Sequence, residues 1–153
     1  LCSNGDLYGW GYNCRGQCGD GTTTDRTTPT IVATGVKDIF LNGQSSYLDN
    51  HLYQTFIMKS DGLYGCGWND AGYLGLGHTT SPITSFTKVL LPLDNDEIVD
   101  TMGCYTTNNE GYVLIAITSK RRMFAWGYNG QNGITSSSTI DCLVPIQFTI
   151  QED

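Results

Sequence analysis

Alternating side chains recur along the chain in short stretches and predict β-strands. In "DLYGWGYN", the residues Tyr8, Trp10 and Tyr12 fall on one face of a strand, while leucine and glycine fall on the other face. Stretches such as "VKDIFLNG", "YQTFIMKSDG" and "TPTIV" have the same character, and glycine-rich or polar segments separate them. The pattern predicts an all-β protein of short strands joined by tight turns.

The opening stretch occurs again twice, which identifies a sequence repeat. Leu7-Tyr8-Gly9 matches Leu63-Tyr64-Gly65. Farther along the chain, Trp10-Gly11-Tyr12-Asn13 matches Trp126-Gly127-Tyr128-Asn129. About four short strands fit within each repeat, and such an arrangement is typical of the blades of a β-propeller.

The repeats divide the chain into one half unit and two whole units. We predict that these segments cover residues 1–34, 35–93 and 94–153. Neighbouring units need apolar contact area, and large aromatic side chains beside glycines supply it. We therefore expect three aromatic side chains to be buried between units: Trp10, Tyr64 and Phe124.

The stretch "GDLYGWGYNCRGQCGDGTTTDRTTPTIV" resembles the repeat of the RCC1 family (regulator of chromosome condensation 1). The shared features are an aromatic residue shortly before Trp-Gly-x-Asn, the glycines of "GQCGDG", and a Thr-Pro pair that leads into a strand. The threonine-rich turn is similar to bacterial and viral versions of the repeat. The resemblance implies an RCC1-like β-propeller, of which this chain holds about two and a half blades. The rest of the ring would come from a longer chain or from other chains.

Two segments are longer than the turns of the RCC1 repeat that the chain resembles. They lie between Gly43 and Phe56 and between Gly103 and Leu114. Because they occupy equivalent places in successive repeats, we expect them to emerge on the same face of the propeller and to contact a partner. The alternative is that each loop packs over its own blade. The candidate partner-binding residues are Tyr47, Asp49, His51, Tyr53, Tyr105, Asn108 and Asn109.

The charge and hydropathy of the chain argue against two kinds of partner. Eight basic and fifteen acidic residues give a formal net charge of -7, which repels a nucleic-acid backbone. No stretch approaches the roughly 20 consecutive apolar residues that a membrane-spanning helix needs. We therefore predict neither nucleic-acid binding nor insertion into a membrane.

Residues that carry catalysis or bind cofactors do not form a recognisable pattern. The two histidines, His51 and His78, match no common position of the repeat, and no nucleophile with a base is evident. Cys14 and Cys18 lack a second pair of zinc ligands, and Cys18 stands where Leu74 stands in the next repeat, as expected of a small buried hydrophobe. We predict no catalytic, cofactor-binding or metal-binding site, and the six cysteines leave disulfide formation open.

These observations favour a non-catalytic binding module, an RCC1-like β-propeller that mediates protein–protein interaction. Its expected partners are another protein or the chains that complete the propeller. The alternative is a structural or adhesion component of a surface assembly, such as a phage tail fibre or a bacterial surface protein, that recognises a receptor or a glycan. The abundance of threonine, tyrosine and asparagine fits that alternative.

Overall fold

A computed structural model describes residues 1–42, 53–93, 98–105, 112–130, 132–135 and 139–148. The described residues form β-strands and turns, as the alternating pattern predicts, and none of them belongs to a helix that could span a membrane. The ten strands are β1 (Leu7–Gly11), β2 (Arg26–Ala33), β3 (Val36–Asn42), β4 (Gln54–Lys59), β5 (Gly62–Gly67), β6 (Ile83–Lys88), β7 (Ile98–Tyr105), β8 (Tyr112–Thr118), β9 (Met123–Gly127) and β10 (Cys142–Phe148).

The strands form three antiparallel sheets. One sheet pairs β1 with β2, the second has the order β3-β4-β5-β6, and the third has the order β7-β8-β9-β10. The contacts group the chain into two compact units, of which the first holds residues 1–70 and 80–89 and the second holds residues 71–79 and 90–153. The boundaries of the predicted segments at 34/35 and 93/94 stay a prediction.

The third strand of each four-stranded sheet is paired along both of its edges. Within the first unit, β5 lies between β4 and β6, and Gln54 of β4 is opposite Gly67 of β5. Within the second unit, β9 lies between β8 and β10, and Val113 of β8 is opposite Gly127 of β9. The repeat alignment makes β1 the equivalent of β5 and β9, yet among the described strands β1 pairs with β2 alone.

The core of the first unit joins its two sheets. Leu7 of β1 packs with Val36 and Ile57 in a buried cluster, and Phe86 of β6 lies against that cluster. The period-two alternation explains this contact, because Leu7 faces the four-stranded sheet while Tyr8 and the next alternate residues face away from it.

The core of the second unit lies on its four-stranded sheet. Ala125, Ile134 and Cys142 form a buried cluster there, and Phe124 and Trp126 of β9 are also almost fully inaccessible to solvent. The three clustered residues come from β9, from the turn that follows it and from β10. The turn is therefore part of the folded core.

Burial corrects one part of the sequence prediction. Phe124 is buried as expected and Tyr64 is half-buried, but Trp10 is 60% exposed. The alternation correctly assigns Trp10 to the face of β1 opposite Leu7. The expected burial is wrong because the described residues leave most of the Trp10 side chain open to solvent, whereas Trp126 at the equivalent place in β9 is 1% exposed.

The cysteines whose side chains are described are free thiols, so the structure pairs none of them in a disulfide. They are Cys2, Cys14, Cys18, Cys66 and Cys142. Cys18 is buried, in keeping with its expected role as a small hydrophobe. Burial raises the pKa of the Cys66 thiol well above its ordinary value, which keeps that thiol protonated.

Candidate protein-binding surface

A buried asparagine organises the turn of the first repeat. Asn13 follows β1 and has no exposed surface. Its side-chain oxygen accepts a hydrogen bond from the backbone N–H of Cys18 at 2.9 Å, and its amide nitrogen donates to the carbonyls of Thr22 and Thr24 at 3.0 and 3.1 Å. A chain segment that lacks regular pairing thus satisfies its polar groups through one side chain.

The same device recurs in the other two repeats. Asn69 and Asn129 are also fully buried. Asn69 donates to the carbonyl of Thr80 at 3.1 Å, and the side-chain oxygen of Asn129 accepts from the backbone N–H of Ile134 at 2.9 Å. The repeated asparagine therefore fixes the path of the turn in every repeat.

The turns of the first and second repeats each lie on the four-stranded sheet that follows them in sequence, within a single unit. In the first unit, the N–H of Gly21 donates to the carbonyl of Thr84 at 2.8 Å, and in the second unit the N–H of Gly77 donates to the carbonyl of Leu143 at 2.8 Å. A Cβ atom on Gly16 would stand 2.8 Å from the Cα atom of Thr84. The turn approaches the sheet so closely that only glycine fits.

Aromatic side chains and an arginine cluster at the end of β1 and β5. The rings of Tyr12 and Tyr53 meet edge to face, with centroids 5.6 Å apart. The guanidinium of Arg15 lies 5.6 Å from the ring centroid of Trp68, whose backbone N–H donates to the carbonyl of Tyr53 at 2.9 Å. These contacts make one continuous patch, which we call the aromatic surface: Tyr12, Arg15, Tyr53 and Trp68.

The aromatic surface is accessible to solvent. Tyr12 is 57% exposed and Arg15 is also exposed. A hydrogen bond with Cys14 is the main cause that raises the pKa of Tyr12, so its phenol stays neutral and able to donate. Among the described residues no group of three or more His, Cys, Asp or Glu side chains could hold a metal ion. The exposed rings and the guanidinium are suited to contact with another molecule.

Few of the predicted partner-binding residues can be located. Tyr53 lies in the aromatic surface, directly after residues 43–52 of the first long loop. Tyr105 is the last residue of β7, and its side chain is not described. The remaining five lie outside the described residues: Tyr47, Asp49, His51, Asn108 and Asn109.

Sequence analysis missed three members of the aromatic surface. Tyr12 and Trp68 occupy the same place in their repeats, directly before the buried asparagine, and Tyr128 occupies it in the third. That repeated aromatic position was a usable signal, because an aromatic residue at the end of a strand lies beside the turn rather than in the sheet. No sequence signal placed Arg15 over Trp68.

Comparison with known proteins identifies the repeat. Residues 4–41 match the family described as the regulator of chromosome condensation (RCC1) repeat. The chain is 28% identical to the ultraviolet-B receptor UVR8 of Arabidopsis thaliana, over 90% of this chain and 41% of the receptor. It is 29% identical to the human E3 ubiquitin-protein ligase HERC2, over 81% of this chain and 2% of the ligase.

Solved structures show the same fold. Human WBSCR16 superposes with a TM-score of 0.65 at 22% identity, over 96% of this chain and 35% of that chain. Prp20p from Saccharomyces cerevisiae, solved together with its binding properties to Gsp1p and histones, gives a TM-score of 0.68 at 18% identity, over 97% of this chain and 35% of that chain.

The repeated strands, the glycine turns and these similarities define the class of protein. The sheets are blades of an RCC1-like β-propeller, as the resemblance implied. Residues 4–41 match the RCC1 repeat, as the resemblance indicated, and the similarity to UVR8 extends over 90% of the chain. It spans less than half of the length of the relatives and structures that it matches.

Proposed function

We propose that this chain is a non-catalytic protein-binding module that uses its aromatic surface to contact a partner. The observation that carries the proposal is the exposed Tyr12 ring on Tyr53, next to Arg15 over Trp68. Tyrosine, tryptophan and arginine are the residues that most often dominate the binding energy of protein interfaces. The patch is preorganised, because the edge-to-face contact of the two tyrosine rings and the backbone bond at Trp68 hold it in place.

The predicted loop residues extend this proposal. The first long loop enters the aromatic surface at Tyr53, so Tyr47, Asp49 and His51 precede the patch by only a few residues of chain. We infer that these residues, with Tyr105, Asn108 and Asn109 of the second long loop, add contacts to the partner. Such contacts would provide specificity around an aromatic anchor.

The relatives support a protein as the partner. Prp20p, which has the same fold, binds Gsp1p and histones. Fold alone does not determine the partner, so the identity of the partner must come from the surface side chains of this chain. The net charge of -7 favours a partner with a basic contact surface.

Differential capture tests the proposal. Three forms of the chain are immobilised and incubated with extracts of the cells from which the protein comes: the unmodified chain, a Tyr12→Ser/Arg15→Ser double variant and an Ile31→Ser control. The proteins that each form retains are then compared. Ile31 is 49% exposed on β2 and lies outside the aromatic surface. We expect the unmodified chain and the control to retain the same proteins. The double variant should retain at least about tenfold less of them.

Two results would contradict the proposal. If all three forms retain the same proteins equally, the aromatic surface is not the binding site. If none retains a protein but a glycan array shows binding that depends on Tyr12, the adhesion alternative replaces the protein-binding function.

A further inference from the structure

The outer edge of β2 is a free edge of the blade itself. β2 pairs with β1 along one edge, and no described strand pairs with its other edge. The repeat alignment makes β2 the equivalent of β6 and β10, which are the outermost strands of the two four-stranded sheets. A strand in that outermost place presents N–H and C=O groups that an extended peptide can bind.

A proline limits the half of this edge that can accept a peptide. Pro29 lies within β2 and has no backbone N–H, which protects the first half of the edge from pairing. Residues 31–34 contain no proline. On β6, the outermost strand of the following sheet, a turn residue already pairs with the strand, because Asp20 forms a β-bridge with Ser85. The second half of β2 is therefore the more accessible of the two edges.

A groove lies along that half of β2. Its volume is about 500 Å³, and residues 31–34 all line it. Val32 packs towards the core of the unit, whereas Ile31 is 49% exposed, so the groove touches both faces of the strand and must follow its edge. Ser85 and Phe86 of β6 also line this groove, which we call the rim groove.

Two charged side chains line the rim groove, and they differ in their contacts. The Asp20 side chain is 3% exposed, forms an ion pair with Arg26 and accepts the backbone N–H of Thr22 at 2.9 Å. Its charge is therefore balanced within the turn. Lys59 is half-buried, and its ammonium lies 5.4 Å from the ring centroid of Tyr64. Among the described residues, no carboxylate pairs with this ammonium.

We propose that the rim groove binds an extended acidic segment of a partner protein, which pairs with residues 31–34 and places a carboxylate at Lys59. Charge complementarity selects this occupant, because Lys59 carries the charge that the described residues leave without a carboxylate. Alternate side chains of an extended segment share a face, so an apolar residue two positions from the acidic one lies against Phe86. The site is separate from the aromatic surface.

A peptide titration followed by nuclear magnetic resonance tests the proposal on the whole chain. The probe is a capped pentapeptide of threonines in which a valine and a glutamate stand two positions apart, and the control peptide has lysine in place of glutamate. Lys59→Gln removes the charge from the groove. Lys88→Gln is the matched variant, because the Lys88 ammonium also lies near the Tyr64 ring, at 6.0 Å, but does not line the groove.

The glutamate peptide should shift the amide resonances of residues 31–34 and leave those of the aromatic surface unchanged. Lys59→Gln should weaken its binding by about three- to fivefold, and Lys88→Gln by less. The net charge of -7 favours the lysine peptide elsewhere on the chain, so a preference for glutamate identifies the groove. Lys59→Glu should reverse that preference. Ile31→Ser keeps the backbone edge and Lys59, so it should bind like the unmodified chain.

Three outcomes would overturn the proposal. Equal affinity for the two peptides would show that Lys59 does not select a carboxylate. Shifts that avoid residues 31–34 would place the peptide elsewhere. Equal losses in Lys59→Gln and Lys88→Gln would assign the effect to overall charge. The Tyr12→Ser/Arg15→Ser variant should bind the glutamate peptide normally, so this proposal and the proposed function fail independently.

Discussion

The turn of the first repeat and the turn of the second repeat solve the same packing problem with different side chains. Both turns place a glycine N–H on a carbonyl of the outermost strand of the following sheet, Thr84 in one unit and Leu143 in the other. They differ in the third strand of that sheet, where Trp126 donates to the turn in the second unit and Cys66 does so in the first.

The hydrogen bond to the turn is present in both units, but a different side chain donates it in each. The small Cys66 cannot fill the volume of a tryptophan, and its thiol is a weak donor. In the first unit the hydroxyl of Thr55 supplies a second bond to the same carbonyl of Gln17, at 2.8 Å. The donor to the turn carbonyl is thus the feature that repeats, while the bulk beneath it varies.

Removal of the indole should produce the largest effect. Trp126→Ala would delete a fully buried aromatic side chain and its hydrogen bond, so we expect the free energy of unfolding to fall by about 3–5 kcal/mol. Trp10→Ala, at the equivalent but exposed position, should cost less than about 1 kcal/mol in the same chain. Urea denaturation followed by circular dichroism measures both. Equal losses would mean that Trp10 is covered in solution.

Substitution of a turn glycine should have the next largest effect on stability. The first unit contains two glycines that can be compared directly. Gly16 and Gly35 have similar positive φ angles of 73° and 65°, but a Cβ atom would meet Thr84 at Gly16 and open space at Gly35. Both alanine variants should lose about 1–3 kcal/mol from the φ angle. Gly16→Ala should lose more, because the turn must also move away from the sheet. A smaller loss at Gly16 than at Gly35 would contradict the close approach of turn and sheet.

Acid should lower the stability of the first turn and leave the stability of the second turn unchanged. Burial alone would raise the pKa of Asp20, but hydrogen bonds from Arg26, Thr22 and Asn13 outweigh it and hold that pKa below its ordinary value. The ionised carboxylate therefore contributes stability at pH values above the ordinary aspartate pKa, and that contribution is lost as the pH falls through the lowered value. The second turn has Leu76 at the equivalent position.

Thermal melts of the unmodified chain and of Asp20→Asn between pH 7 and pH 3 check this difference. The melting temperature of the unmodified chain should fall more steeply at the acid end, since the variant has no carboxylate to protonate. Parallel curves would show that Asp20 does not link the stability of the first turn to pH.

The smallest effect is expected where two donors share one acceptor. Thr55→Val removes the hydroxyl bond to Gln17 and leaves the bond from Cys66, so the loss should be about 0.5–1.5 kcal/mol. The double variant Thr55→Val/Cys66→Ala should lose more than the sum of the single losses, because the carbonyl of Gln17 would then have neither donor. Additive losses from urea denaturation would indicate that water or another group replaces them.

The strands and the repeat could be predicted from the sequence, but the contacts between distant segments could not. Period-two alternation is local, so it correctly assigns Trp10 and Leu7 to opposite faces of β1. It cannot show whether anything lies on a face, and the burial expected of Trp10 was wrong for that reason. The bond from Gly21 to Thr84 and the contact of Tyr12 with Tyr53 join residues far apart in the chain, and no local pattern encodes them.

Because the turns of the first two repeats lie on the following sheet, the repeat in the sequence differs from the unit that packs. A substitution at Gly72 is tolerated or rejected by Leu143, which a later copy of the repeat encodes. Compensating changes should therefore arise across the boundary between two copies rather than within one. A duplication that inserts a whole copy of the repeat preserves every such pairing. A recombination event whose boundary lies between a turn and its sheet instead joins two surfaces that have not evolved together.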